Sequence, residues 1–284
     1  MLMRLMHSVG FILLAATLSF AQTGPVAPNV DPALIALRDA YMVPLQAQYL
    51  AGVADAQANL LHLKTPPANP DIWDITAENP RLLWDGVPGQ SRVLVATFTK
   101  ARFYATAAPG QALNAVGDYW VTPAPQAYQA IKAASPDGVV GNPTLALDEY
   151  LGLPPGSTND AVVSLWVLPA VLVRPAMDPS ITNHAAETVF PLSFQTVPLA
   201  SPAALPKDPP APGFAPATTY ANWFLNRESA IFSPGVAGGP YPWTGLGYTY
   251  NWGSTDVVGG SEFIIPQGSP VKLQAVTPVS NYFN

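Results

Sequence analysis

The chain has 284 residues, with 12 Lys and Arg against 18 Asp and Glu, and it contains no cysteine. So few basic residues argue against a nucleic-acid-binding protein, because contact with phosphates needs a basic surface. The absence of cysteine excludes disulfide bonds, thiol nucleophiles and thiolate metal sites. The 33 prolines are about twice the usual share, and since proline opposes long helices and central strands, the composition favours short strands joined by ordered loops.

The N terminus has the layout of a cleavable signal peptide over residues 1–21. Arg4 supplies the positive charge, an almost wholly apolar run extends from Ser8 to Phe20, and Ala21 precedes the expected cleavage site. The run is shorter than the ~20 residues of a membrane-spanning helix, and an uncleaved anchor is the alternative. The sequence therefore predicts a secreted or periplasmic protein whose mature form has no membrane span.

Residues 22–69 are predicted to form a leader followed by a helical segment. Asp31 and Pro32 have the pattern of an N-cap followed by proline at the first helical position. Apolar residues at helical spacing then continue from Ala33 to Leu63. Because proline disrupts a helix interior, Pro44 is expected to break or kink this segment into one short and one longer helix.

Residues 70–284 are predicted to form the main domain, which makes the fold class α+β and β-rich with a small N-terminal helical element. The apolar and β-branched runs predict strands, and two capped segments predict helices. The predicted strands are 92–99, 118–122 and 161–168, with a strand, turn and strand over 262–276, and the predicted helices are 144–151 and 220–231. The proline-rich stretch 196–218 is predicted to be a linker or a long surface loop.

The C-terminal region contains a dense group of aromatic residues: Trp243, Tyr248, Tyr250 and Trp252. Since alternate residues of a strand lie on one face, Tyr248, Tyr250 and Trp252 are predicted to share a face. Such a face could bind a sugar or nicotinamide ring by stacking. It could equally form the core side of a sheet.

Candidate chemical groups are few, and no standard catalytic or nucleotide-binding motif is present. Glu262 precedes an apolar strand, where it is either a solvated strand end or an acid that projects into a cleft. Arg174 follows the apolar run 171–173, which is predicted to be a strand, and it is either a site residue or forms a salt bridge with Asp178 or another carboxylate. His184 and Glu187 offer only two metal ligands, so no metal or cofactor is predicted.

Several segments resemble a family of secreted bacterial proteins of unknown function. The resemblance covers most of the chain from about residue 90 onward, and its clearest part is YPWTGLGYTYNWG followed by GGSEFIIPQGSPVKL, within 241–273. Segments 120–126, 145–156 and 166–179 also resemble it. The resemblance implies secretion and a shared fold, but no activity.

The segment SEFIIPQGSPVKL alone also resembles the segment that follows the catalytic glutamate in ADP-ribosyltransferase-type folds. The same C-terminal region is similar to secreted NAD glycohydrolase toxins. The resemblance to ADP-ribosyltransferase-type folds implies that Glu262 orients the nicotinamide ribose and stabilises an oxocarbenium-like transition state. The family of secreted proteins is expected to have arginine at Gly245. If that arginine binds phosphate, Arg174 or Arg227 would have to replace it here.

Three functions are therefore expected as alternatives. The first is a noncatalytic binding or envelope-associated protein, whose partner is a small molecule, glycan or protein and whose ligand contacts the aromatic C-terminal region. The second is an NAD-consuming glycohydrolase or ADP-ribosyltransferase-like enzyme with Glu262 as its key carboxylate. The third is a carbohydrate hydrolase with two carboxylates, such as Glu262 and Asp256, whose separation would determine its stereochemistry.

Overall fold

The structure is a computed structural model, and it describes residues 32–62, 72–184, 189–190, 219–232 and 240–284. The predicted signal peptide, the stretch 196–218 and Glu187 lie outside these residues. The chain divides into two units, residues 1–40 and 41–284. The structure describes the first unit only from Pro32 onward.

The first helix, α1, extends from Pro32 to His62 and includes Pro44 in its interior. The predicted division into two helices at Pro44 is therefore wrong. Proline removes one backbone hydrogen bond, and in a helix of 31 residues the remaining bonds and the packing of its buried face compensate for that loss. In the second unit this buried face consists of Tyr49, Val53 and Ala56.

The main sheet has six strands in the order β2-β8-β4-β1-β3-β7, and every neighbouring pair is antiparallel. Its strands are β1 (Val93–Thr99), β2 (Ala112–Asn114), β3 (Tyr119–Pro123), β4 (Ala161–Val167), β7 (Phe263–Ile265) and β8 (Pro270–Pro278). A second sheet pairs β5 (Tyr248–Tyr250) with β6 (Val258–Ser261). The predicted α+β fold with short strands is thus confirmed.

The main sheet is buried on both faces near its centre. Val95 of β1 and Leu165 of β4 are paired in register, and both belong to the largest core cluster, which also contains Trp73 and Phe263. Ala96 and Phe98 of β1 alternate to the opposite face, where they belong to a second cluster. Two buried faces explain why β1 and β4 are continuous apolar runs in the sequence.

Helices cover this second face. They are α2 (Ala124–Ala134), α3 (Pro143–Tyr150) and the short α5 (Val279–Tyr282). Helix α4 (Tyr220–Ile231) comes between α3 and α5 in the chain and packs in a different cluster. Helices α3 and α4 lie where they were predicted, capped by the side chains of Asn142 and Thr219. Helix α2 was not predicted, although proline at its start is a typical helix-initiation signal.

Two details of the sheets position the candidate residues. The pairing of β5 with β6 shifts by a bulge between Tyr248 and Tyr250. Glu262 is the single residue between β6 of the small sheet and β7 of the main sheet. Its backbone N–H donates to the carbonyl of Gly247 at 2.9 Å, which fixes the backbone where the chain passes from one sheet to the other.

Candidate functional site

The aromatic residues of the C-terminal region are buried and form part of the core. Trp243, Tyr248, Tyr250 and Trp252 each expose 6% or less of their surface. Trp252 packs edge-on against Tyr49 with ring centroids 5.9 Å apart. Of the two readings open from the sequence, the structure places these side chains on the core side.

These aromatic side chains are divided among three clusters. Tyr250 and Trp252 pack against α1, Tyr248 packs with Ile72, and Trp243 packs with residues of α4. The single face predicted for Tyr248, Tyr250 and Trp252 is therefore not formed, because β5 ends at Tyr250 and pairs through a bulge. Two of their polar atoms are used internally: Tyr250 Oη donates to Asp55 at 2.8 Å, and Trp252 Nε1 donates to the carbonyl of Leu153 at 2.9 Å.

Arg174 is fully buried and connects separate parts of the chain. Its guanidinium donates to the carbonyl oxygens of Trp73, Ser180, Asn183 and Gly247 at 2.9–3.3 Å, and it lies 4.7 Å from the ring centroid of Phe263. Burial lowers its pKa to about 10, and Asp74 and Asp178 oppose this shift from a distance. The side chain is thus bonded to backbone carbonyls, and not directly to Asp178 as the sequence suggested.

The segment before Arg174 also differs from the strand expected there. Pro169–Val171 form a 3₁₀ turn, and only Val173 makes an isolated bridge, to Ile264 of β7. Proline at the start of the turn ends β4 and prevents its continuation. Arg174 therefore follows a turn and enters the interior between the two sheets.

Glu262 is also buried, with 8% of its surface exposed. Its Oε2 atom makes no hydrogen bond within the described residues. Burial raises the pKa of its carboxyl group to about 8, although the charge of Arg227 and the indole N–H of Trp243 both act in the opposite direction. Such a shift, in a group with a charged neighbour, is one sign of a functional residue.

The surroundings of Glu262 are mainly aromatic. The Arg227 guanidinium lies 4.8 Å from the ring centroid of Trp120, and Trp120 packs edge-on against Trp243 at 6.5 Å. Trp243 is close enough to affect the pKa of Glu262, but its buried Nε1 makes no hydrogen bond of good geometry in the described part of the chain. We call Glu262, Trp243, Arg227 and Trp120 the Glu262 centre.

An open cleft lies elsewhere on the second unit, with a volume of about 810 Å³. It is bounded by α2, by the end of α3, by Trp73 and Arg81, and by the loop that follows β5. We call it the α2–α3 cleft. Its polar lining consists of Arg81, Gln126, Gln129, Ser135, Glu149, Asn251, Ser254 and Asp256. Glu262 is not among the described residues that line it.

The rim of the α2–α3 cleft is shaped by side chains that bond to nearby backbone. Asn251 accepts a hydrogen bond from the N–H of Gly253, and Ser254 accepts one from Asp256. Asp256 in turn accepts one from the N–H of Val258 at 3.2 Å. These local bonds hold the loop in a defined turn, so the rim is largely pre-formed.

The inner wall of the cleft is held by a buried polar network. Gln126 of α2 accepts from the N–H of Ser261 at 2.8 Å and donates to its hydroxyl oxygen at 3.2 Å. The same oxygen accepts from the N–H of Trp73 at 2.6 Å. Gln126 is thus a structural residue of the wall, whereas Gln129, one turn later, is exposed to the cleft.

The sequence candidates therefore separate in space. Asp256 lies exposed on the rim of the α2–α3 cleft and Glu262 lies in the interior, so no observation favours the pair as two carboxylates of a hydrolase. Sequence reasoning missed Glu149 and Arg81. The signal for Glu149 was its position at the end of a predicted helix, but nothing in the sequence indicated that Arg81 lines the same cleft.

His184 belongs to a structural contact. Its Nδ1 is 2.7 Å from the carbonyl oxygen of Ile72, and its Nε2 is 3.4 Å from the Asp74 carboxylate. In the described ranges no group of three or more His, Asp or Glu side chains is arranged to hold a metal ion. Across the same ranges, none of the helices combines the length and apolar character needed to cross a membrane.

Comparison of the chain with protein-family models, with curated proteins and with solved structures gives no significant match. The fold, the α2–α3 cleft and the Glu262 centre are therefore the features that bear on the function.

Proposed function

We propose that the mature protein is an exported, noncatalytic binding protein that holds a small polar ligand in the α2–α3 cleft. The observation that carries this proposal is the cleft itself, whose volume of about 810 Å³ lies within the range of small-molecule sites. In this proposal the ligand contacts the loop that follows β5, and not the aromatic side chains of β5 that the sequence predicted to bind it. Export is supported by the signal-peptide pattern of residues 1–21.

The lining of the cleft suits recognition. The amides of Gln129 and Asn251 provide both donors and acceptors, Glu149 provides an acceptor and Arg81 a donor. Trp73 and Tyr150 also border the cleft, although each exposes 7% or less of its surface. A few polar groups that line one cleft give a ligand its orientation and specificity.

The proposal is tested by NMR titration of the mature chain with three probes: N-acetylchitotetraose, cellotetraose and trialanine. We expect at least one probe to shift the amide resonances of Gln129 and residues 251–258. Ser254→Trp should block this binding at the rim, whereas Ser280→Trp, exposed on α5, should not. Shifts that lie elsewhere, or no shift with any probe, would refute the proposal.

A second candidate function is the NAD-consuming glycohydrolase or transferase. It is favoured by the Glu262 centre, where a buried carboxyl group with a pKa of about 8 lies near Arg227 and Trp243. In this function Glu262 orients the nicotinamide ribose and Arg227, rather than Arg174, binds phosphate. As the glycosidic bond breaks, its electron pair goes to nicotinamide, which leaves as the neutral base, and the positive charge that develops on the ribose favours the ionised carboxylate.

This second candidate is tested by nicotinamide release from NAD. Wild-type protein should release nicotinamide, Glu262→Gln should lose about 100-fold or more of the activity, and Glu149→Gln should retain it. If the wild type releases none, or if Glu149→Gln reduces the activity as much as Glu262→Gln, this function is excluded.

A further inference from the structure

Arg81 presents a largely unoccupied guanidinium group to the α2–α3 cleft. Its carbon Cζ lies 4.5 Å from the ring centroid of Trp73, and its Nε donates to Asn79 at 3.3 Å. Its two terminal nitrogens make no hydrogen bond or ion pair within the described residues. Stacking on Trp73 and the bond to Asn79 orient the group, so a planar donor pair is available to an anion.

Glu149 presents an unoccupied carboxylate to the same cleft. It is the penultimate residue of α3, is half-buried, and lies against the loop so closely that a Cβ atom on Gly253 would be 2.7 Å from its Oε2. No hydrogen bond or ion pair to this side chain occurs in the part of the chain that the structure describes. Because residue 253 is glycine and has no Cβ atom, the Glu149 carboxylate has space at the rim of the cleft.

Two opposite charges therefore line one cleft without bonding to each other. Asp256 adds a second carboxylate at the rim, where one of its oxygens already accepts from Val258. A ligand that satisfies these groups carries an anionic group for Arg81 and a cationic donor for Glu149. A neutral sugar would leave both charges without a charged partner.

We propose that the ligand of the α2–α3 cleft is a short peptide, whose C-terminal carboxylate binds Arg81 and whose N-terminal ammonium binds Glu149. This inference rests on the proposed binding function and names its ligand class. The cleft volume of about 810 Å³ has room for several residues, and the amides of Gln129 and Asn251 match the donors and acceptors of peptide groups.

The experiment compares trialanine with N-acetyl-trialanine and trialanine amide by isothermal titration calorimetry. Removal of either terminal charge is expected to weaken binding by about tenfold or more, since charge-assisted hydrogen bonds are the stronger ones. In Arg81→Gln, amidation of the peptide should have no further effect, and in Glu149→Gln, acetylation should have none. Arg92→Gln and Glu78→Gln, whose side chains are not among those that line the cleft, should behave as the wild type.

The capped peptides test the inference without any change in the protein, so a folding defect in a variant cannot hide the result. Equal binding of all three peptides would overturn it, and so would equal binding of free alanine, which would mean an amino-acid site. If N-acetylchitotetraose binds at the cleft and trialanine does not, the peptide assignment is wrong and the binding function remains. If no probe binds at the cleft, both proposals are wrong.

Discussion

A Cβ atom added to Gly247 would lie 2.7 Å from Cδ of Arg174, so these two residues fit together only because residue 247 has no side chain. The carbonyl of Gly247 also accepts hydrogen bonds from Arg174 and from the backbone of Glu262. The turn before β5 is thus hydrogen-bonded both to the buried Arg174 and to Glu262, at the junction of the two sheets.

The first prediction concerns this close approach. Gly247→Ala should lower the free energy of unfolding by about 2–4 kcal/mol, because the new methyl group clashes with Arg174 and because residue 247 has φ of +78°. Gly110→Ala is the matched control, since Gly110 has φ of +86° but nothing within 4 Å of its added Cβ. Urea denaturation should show a clearly larger loss for Gly247→Ala; equal losses would mean that backbone strain alone matters.

A second prediction concerns Arg174 itself. Arg174→Met should reduce the free energy of unfolding by about 3–5 kcal/mol, because four backbone carbonyls lose a donor in the interior. Arg174→Lys should recover only part of this stability, since an ammonium group lacks the planar fork. Arg92→Met, at an exposed ion pair with Asp85, should change it by less than about 1 kcal/mol. Small and equal effects at both positions would show that the hydrogen bonds from Arg174 to these carbonyls do not stabilise the fold.

The third prediction is a pH dependence of stability. The folded-state pKa of Glu262 is about 8, against 4.5 without burial, so above pH 4.5 the unfolded chain loses this proton while the folded chain retains it. The contribution of Glu262 should therefore fall between about pH 4.5 and pH 8, by up to about 1.4 kcal/mol per pH unit, and then remain constant.

Glu262→Gln isolates this contribution, because glutamine has nearly the same shape and does not titrate. The difference in unfolding free energy between variant and wild type should grow in favour of the variant from pH 5 to pH 8. Asp148, whose pKa burial raises to about 6, contributes with the same sign in both proteins and cancels. A difference that does not change with pH would show that Glu262 titrates normally in the folded protein.

The fourth prediction separates a core role from a surface role for the aromatic residues. Trp252→Ala should cost about 3–5 kcal/mol of stability, because the indole fills a site against Tyr49 and bonds to Leu153. Phe103→Ala, at a side chain with 64% of its surface exposed, should cost less than about 1 kcal/mol. Thermal and urea unfolding give both values, and a Trp252→Ala protein as stable as the wild type would contradict a core role for the indole.

Much of the secondary structure could be predicted from local patterns. The β-branched run of β4 and the capped helix α4 occur where the sequence places them, because periodicity and capping act over a few residues. The passage of α1 through Pro44 could not be predicted in this way, because packing against distant segments overrides local preference. Helix α2 does begin with a local signal, the proline at its start, which the prediction did not use.

The candidate site was less accessible to sequence reasoning. The sequence by itself determined that the chain is an α+β protein without cysteine, with an export signal pattern and an aromatic C-terminal region. Only the tertiary structure decided that Trp252 is core, that Arg174 is bonded to carbonyls, and that Arg81 and Glu149 line one cleft. The physical reason is that burial, pKa and access to a cleft depend on contacts between residues far apart in the chain. Arg81, in the loop after Trp73, and Glu149, on α3, line the same cleft although 68 positions separate them in the sequence.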